Sequence, residues 1–189
     1  MSTPFPRLET ARLILREITP NDAETLFAIH ADAEAMRWYG ADTMTELSQA
    51  HKLIELFAGW RRQPNPGTRW GIERREDGRL IGTCGLFAWN ANWRNCAIGF
   101  ELARDAWKGR YMIEALRAAL AYGWDAMQLN RIGAQVHPAN IVSLRLLVGL
   151  GFQFEGRLCQ VARWNGSHHD LIQLALLRDA APDLKAAPQ

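Results

Sequence analysis

The sequence predicts an α+β fold, and three features carry that reading. Two turn dipeptides, Asp77-Gly78 and Asn165-Gly166, each separate runs of strand-like residues, the pattern of tight β-hairpins. Between them, Cys96 to Val148 reads as strand, helix, strand, helix. The first helix of that passage places Ile113, Leu116, Leu120 and Trp124 on one face, the spacing of an amphipathic helix against a core. A chain of 189 residues suits one domain, 1–189, and can bury a core without staples. The tail Ala180–Gln189 is small and polar and is expected to fray.

Taken in order, Leu8–Glu17 alternates through Leu13, Ile14 and Leu15 and reads as strand one. Thr19-Pro20-Asn21-Asp22 is a helix start, with Thr19 as cap and Pro20 in the first turn. A second start falls at Thr43, with Glu46 three residues on as a capping-box partner. The stripe Leu53, Ile54, Leu56, Phe57 follows, and Gly59 with Pro64–Gly67 ends the helical region. Trp70–Arg75 and Leu80–Trp89 form the first hairpin. Cys96–Leu102 is a further strand, Arg110–Met127 a helix, Arg131–Val136 a strand and Asn140–Val148 a helix ended by Gly149 and Gly151. Phe154–Arg163 and His169–Leu177 form the last hairpin.

Composition narrows the function. Hydrophobic residues make up 48%, which argues against disorder. Lys+Arg number 22 against 20 Asp+Glu, for a net charge of +2 with signs mixed along the chain, so no nucleic-acid partner is expected. The pairs Arg61–Arg62 and Arg74–Arg75 read as solvated surface. Cys84, Cys96 and Cys159 are odd in number and form no Cys-x-x-Cys. They read as small buried residues rather than a disulfide or zinc framework. The N-terminal residues have no apolar run fit for a signal peptide, and no stretch approaches a bilayer span. A cytoplasmic protein with no membrane partner is expected. His168 and His169 are adjacent in a strand and point to opposite faces, so no metal is expected.

Two constellations carry chemistry. The loop Arg104–Gly109 enters a helix at Arg110, where unpaired N–H groups and the helix dipole suit a pyrophosphate. Lys108 and Arg110 add cations in the same turn. An ordinary loop with solvated side chains is the alternative. At the second, His137-Pro138-Ala139-Asn140-Ile141-Val142-Ser143, a strand gives way to a helix. Asn140 and Ser143 share one side of the first turn, where an amide could bind a cofactor arm and a hydroxyl could give a proton to a leaving group. The alternative is that Asn140 is only an N-cap.

Together these segments resemble the GNAT acetyltransferases, and within them the RimJ/RimL-like subgroup. The resemblance runs in order through Leu8–Arg16, Leu80-Ile81-Gly82-Thr83, Ala97–Leu102, Trp107–Ala115, Asn130-Arg131-Ile132, Asn140–Ser143, Gly149-Leu150-Gly151-Phe152, Glu155-Gly156 and Asn165–Asp170. It implies a GNAT fold: a twisted mixed sheet of about seven strands with flanking helices. Cys96–Leu102 and Arg131–Val136 would be a splayed parallel pair at its centre. It implies acetyl-CoA as cosubstrate, contacted by Phe100, Leu102, Trp107, Lys108, Gly109, Arg110, Tyr111, Met112, Asn140 and Ser143. Two departures stand out. Arg110 occupies the position of the central glycine of the phosphate loop. Ala97 occupies that of a glutamate many members carry, leaving Glu101 four residues later on the same face.

The expected reaction is direct attack of an amine on the thioester, with Ser143 protonating the sulfur, Tyr111 as second choice, and Glu101 as base or substrate anchor. His137 is a further base candidate. A backbone N–H of the Cys96–Leu102 strand would polarise the carbonyl. A Lys-type amine, pKa about 10.4, is neutral about once in 2,500 molecules at pH 7, and an α-amine near 7.8 roughly once in seven. The missing glutamate therefore leans toward a protein N-terminal α-amine, with small amines open. A CoA-binding or sensory domain without turnover is the rival, which the presence of Ser143 disfavours. A homodimer is left open.

Overall fold

The computed structural model describes residues 4–61 and 67–181. Arg62, Pro64–Pro66 of the expected helix terminator and the tail beyond Ala181 lie outside the described residues. The elements run β1 (Leu8–Glu9), β2 (Leu13–Arg16), α1 (Ala23–Ala31), α2 (Leu47–Trp60), β3 (Thr68–Arg74), β4 (Leu80–Asn90), β5 (Asn95–Leu102), α3 (Tyr111–Asp125), β6 (Arg131–Val136), α4 (Ile141–Gly149), β7 (Gln153–Trp164) and β8 (Ser167–Leu177). The strands form one sheet in the order β1-β2-β3-β4-β5-β6-β8-β7. Neighbours are antiparallel except β5 and β6, which are parallel.

The sheet has eight strands because the expected first strand is folded in two. Leu8 pairs with Leu15 and Glu9 with Ile14. The chain reverses at Thr10, whose hydroxyl accepts the Leu13 N–H and donates to Glu114 at 2.6 Å. The helix start at Thr19 is as expected: Asp22 accepts the Thr19 N–H at 2.8 Å, and a single 3-10 turn, Pro20–Asp22, leads into α1. The second start falls later than expected. Glu46 is the N-cap rather than a first-turn residue, and Gln49 closes the end by accepting the N–H groups of Thr45 and Glu46. Asn165 and Gly166 both take positive φ, 48° and 73°, as a two-residue hairpin turn requires.

Strand parity divides the sheet's two faces. Trp70, Ile72, Cys84, Leu86, Cys96 and Ile98 pack with Ala115, Leu116, Ala119, Leu120 and Trp124 of α3 in the main core. Burial pushes the thiols of Cys84 and Cys96 up to about 12, so both are inert. Cys159 departs from expectation: it lies exposed on β7, the edge strand, where one flank has no neighbour to cover it. On the opposite face α1 and α2 form a second cluster from Leu26, Ala50, Ile54 and Phe57. No helix among the described residues is long and apolar enough to cross a membrane.

Candidate active site

The site begins where the central strands part. β5 and β6 pair only through Asn95↔Arg131, Cys96↔Ile132 and Ala97↔Gly133, although β5 continues to Leu102 and β6 to Val136. Beyond Ala97 the strands splay, as the sequence led us to expect, and a cleft of about 500 Å³ opens between them. Ala97–Phe100 line one wall, and Gly133–His137 with Asn140 and Ser143 line the other. Its size falls within the range of small-molecule pockets, roughly 300–1,000 Å³.

Asn140 and Ser143 come together as the sequence suggested. Asn140 is the N-cap of α4 and its Oδ1 accepts the Ser143 N–H at 3.2 Å. Capping and cleft lining are thus one role: the bond that closes the helix end also fixes Ser143 at the cleft rim. His137 stands beside them, but its Nδ1 accepts the Ala139 N–H at 3.1 Å. A neutral ring in that position carries its proton on Nε2 and has no lone pair left for a substrate proton. His137 is therefore a poor base.

The loop before α3 is a 3-10 turn, Arg104–Gly109. Trp107 ties it to the end of β5 by donating to the Leu102 carbonyl at 2.9 Å. A Cβ on Gly109 would sit 2.2 Å from the Tyr111 ring, so a larger residue there must displace that ring. Arg110 adopts φ 56°, ψ 20°. The left-handed backbone that glycine favours is thus kept, with an arginine in it. Lys108 and Arg110 are not buried, whereas Met112 is in the core, so only its backbone is available to a ligand. Tyr111 packs its ring under Arg12 at 4.6 Å and is not part of the cleft wall. That removes it as a proton donor beside Ser143. Phe100 lines the cleft; Leu102 packs against the core.

Glu101 lies deeper than expected. It is 7% exposed and forms no part of the cleft wall. It pairs with the buried Arg69 guanidinium and accepts from the Thr83 hydroxyl, which itself accepts from Arg69 Nε at 2.6 Å. His30 Nε2 lies 3.4 Å away. Burial opposes ionisation of this carboxyl, but Arg69, His30 and Thr83 outweigh it and hold its pKa below the ordinary value. A carboxylate so stabilised is a weak base.

Arg69, which does line the cleft, and Phe87 were not singled out by the sequence; Tyr39, Trp38, Trp60 and Trp164, not named individually either, lie in the 21–60 stretch and the last hairpin, the two regions where acceptor specificity is expected. The signal available for Arg69 was a pair of glycines. A Cβ on Gly85 would lie 2.7 Å from Arg69 Cδ, and one on Gly99 3.2 Å from its Nη1. Gly85, the register partner of Arg69, and Gly99, the partner of Gly85 on the next strand, are bare so that the guanidinium can cross β4 to Glu101. His30, seen as an isolated helical residue, packs edge-on to Tyr39 at 5.0 Å between ring centroids. Burial and the Glu101 charge raise the Tyr39 phenol above its ordinary pKa.

A central parallel pair that parts beside a capped helix is the arrangement the resemblance implies for an acyltransferase domain. Residues 12–153 match the acetyltransferase (GNAT) domain model. The chain is 43% identical over 166 residues to the uncharacterised N-acetyltransferase YoaA of Bacillus subtilis (strain 168), covering 88% of this chain and 93% of that one. Among solved structures, Mycobacterium smegmatis RimJ in complex with CoA-disulfide superposes with a TM-score of 0.82 at 22% identity, covering 94% of this chain and 88% of that one. Spermidine N-acetyltransferase from Vibrio cholerae, in complex with CoA and spermine, gives 0.78 at 19%, with 90% and 98% covered. The chain belongs to the GNAT family, and it is an N-acetyltransferase.

Proposed function

We propose that the protein transfers the acetyl group of acetyl-CoA to an α-amine, by direct attack with both substrates in the cleft. The observation that carries this reading is the parting of β5 and β6 after Ala97↔Gly133. It leaves the facing backbone edges of two strands without each other as partners, and buried amides need partners. An amide-bearing arm laid between the strands supplies them. RimJ in complex with CoA-disulfide and the spermidine enzyme in complex with CoA and spermine support CoA as the molecule that brings such an arm. Gly133 keeps the floor of the split low, since a Cβ there would meet Gln173 at 3.3 Å.

Bound acetyl-CoA supplies a thioester carbonyl for the amine to attack. The turn Trp107–Arg110 and the first N–H groups of α3 receive the pyrophosphate. A backbone N–H of β5 polarises the carbonyl, and Ser143, held at the rim by Asn140, gives its proton to the sulfur. Glu101 acts through Arg69: it fixes a guanidinium in the cleft wall rather than taking a proton from the amine. With no carboxylate among the described cleft-lining residues, the amine must reach the thioester already neutral. That favours an α-amine over a lysine-like one.

The test is thermal denaturation with acetyl-CoA, NAD or ATP, followed by release of free CoA over a panel of amines. At a hundredfold excess over its Kd, a ligand of the native state stabilises by about 2.7 kcal/mol. Acetyl-CoA should raise Tm well above the effect of NAD or ATP. A Tm unmoved by millimolar acetyl-CoA would contradict the reading.

A further inference from the structure

The acceptor end of the cleft is walled by rings. Trp38, from the segment between α1 and α2, stacks on His137 at the end of β6, with centroids 4.0 Å apart and planes 13° from parallel. His137 meets Trp164 edge-on at 5.9 Å, and Trp164 stacks on His169 at 3.7 Å and 16°. Three separate parts of the chain thus build one continuous aromatic surface. Trp60 and Phe87, a second aromatic pair 5.3 Å apart, line the same cleft.

The charge in this chamber is as informative as its shape. Arg69 is the one Lys, Arg, Asp or Glu among the described cleft-lining residues, and its guanidinium is already paired with Glu101 behind the wall. His137 gives its Nδ1 to the Ala139 N–H, and burial, then His169, lowers its pKa, so the ring stays neutral near pH 7. A polyamine brings a second ammonium, for which a carboxylate is a stronger partner than a ring face. The described cleft wall offers no carboxylate and sets a guanidinium there instead. An aromatic ring needs only faces and edges to stack against, and offset or edge-to-face pairs attract beyond the area they bury.

We propose that the acceptor is the α-amine of an aromatic residue whose carboxyl is blocked, as a residue amide or as the first residue of a peptide. This rests on the acetyltransferase reading above. The ring occupies the chamber lined by the Trp38–His137–Trp164 wall and the Trp60–Phe87 pair, and the amine points toward Ala97 and the thioester. The neutral amine nitrogen forms a bond to the acetyl carbon, the carbon–sulfur bond breaks, the nitrogen loses one proton and the CoA sulfur gains one. The products are the N-acetyl amide and free CoA.

Release of free CoA by the full chain, at saturating acetyl-CoA, decides the matter across four acceptors: phenylalanine amide, a phenylalanine-led tripeptide, alanine amide and spermidine. The two aromatic acceptors should show kcat/KM at least tenfold above alanine amide, which has the same kind of amine without the ring, and above spermidine. Their ranking tells a peptide from a single blocked residue as the source. Trp38→Leu and Trp164→Leu should each lose at least fivefold on the aromatic acceptors while keeping the acetyl-CoA-induced rise in Tm. Alanine amide or spermidine matching the aromatic acceptors would overturn the proposal, and the unmodified protein alone gives that answer. If acetyl-CoA moves Tm but the ring confers no advantage, this inference fails and the acetyltransferase reading stands. If acetyl-CoA leaves Tm unmoved, both fall.

Discussion

Replacing Glu101 with glutamine keeps the side chain's shape and removes its charge, leaving the Arg69 guanidinium buried without a counter-ion. Arg69 and Glu101 are 5% and 7% exposed, so water does little to compensate. Breaking one partner out of a buried pair costs about 3–5 kcal/mol. For a chain of this size each kcal/mol moves Tm by roughly 2–4 °C, so Glu101→Gln should lower Tm by roughly 6–20 °C at pH 7. Arg69→Met together with Glu101→Gln should recover a large part of that loss, because the uncompensated cation is gone. Acid gives an independent check. The folded-state pKa of Glu101 is depressed, so its contribution is complete above the unfolded value, about 4.3, and is lost as pH falls through the folded value. The stability gap between parent and Glu101→Gln, followed by urea unfolding, should hold from pH 7 down to about 5 and narrow only under stronger acid. A loss below about 1 kcal/mol, the size of an exposed pair, would refute the claim that this pair is a desolvated structural charge.

Arg110→Gly should raise Tm by roughly 2–4 °C, because a non-glycine residue at φ 56° bears a cost of about 1–2 kcal/mol, partly offset by the freer unfolded glycine; a fall in Tm would mean the arginine side chain is itself a structural contact. Arg110→Glu should weaken acetyl-CoA binding at least tenfold, about 1.4 kcal/mol, measured by calorimetry. Ser143→Ala should cut turnover about a hundredfold with acetyl-CoA affinity little changed, whereas Asn140→Ala should lose affinity and about 1 kcal/mol of stability with its cap; equal behaviour of the two would dissolve the distinction between proton donation and binding. Gly85→Ala puts a Cβ 2.7 Å from the Thr68 carbonyl oxygen, a backbone atom that cannot move aside, and should cost about 1–3 kcal/mol in chemical denaturation.

What could be read from the sequence was what is encoded locally. The Asn165-Gly166 turn needs only its own φ angles, α3 only its apolar stripe, and the Asn140–Ser143 pair only one helical turn. Even the departure at Arg110 was visible, though not that the arginine would keep the glycine's backbone. The rest depends on apposition of distant segments. Trp38 meets His137 because the stretch after α1 crosses to the end of β6, and no periodicity in either segment announces it. Arg69 stands one residue before the strand as read, and its meaning lies in Gly85 and Gly99 on two other strands. Glu101 was placed on the correct face, but strand parity cannot distinguish a carboxylate in a cleft from one sealed behind its wall by His30 and Thr83.

The short pairing between β5 and β6 has a mechanical consequence. Three register pairs, with the Asn130 N–H bonded to the Arg94 carbonyl just before them, weld a five-strand ribbon, β1 to β5, to a three-strand ribbon, β6 to β8. Past the weld nothing in the sheet itself resists the two ribbons spreading, so they form the arms of a tweezer whose pivot is Asn95–Ala97 against Arg131–Gly133. The substrate that fills the gap then serves as a removable rung between the arms. Its arrival should slow hydrogen exchange along both free edges, Ile98–Leu102 and Ala134–Val136, and leave the amides at the pivot as they were.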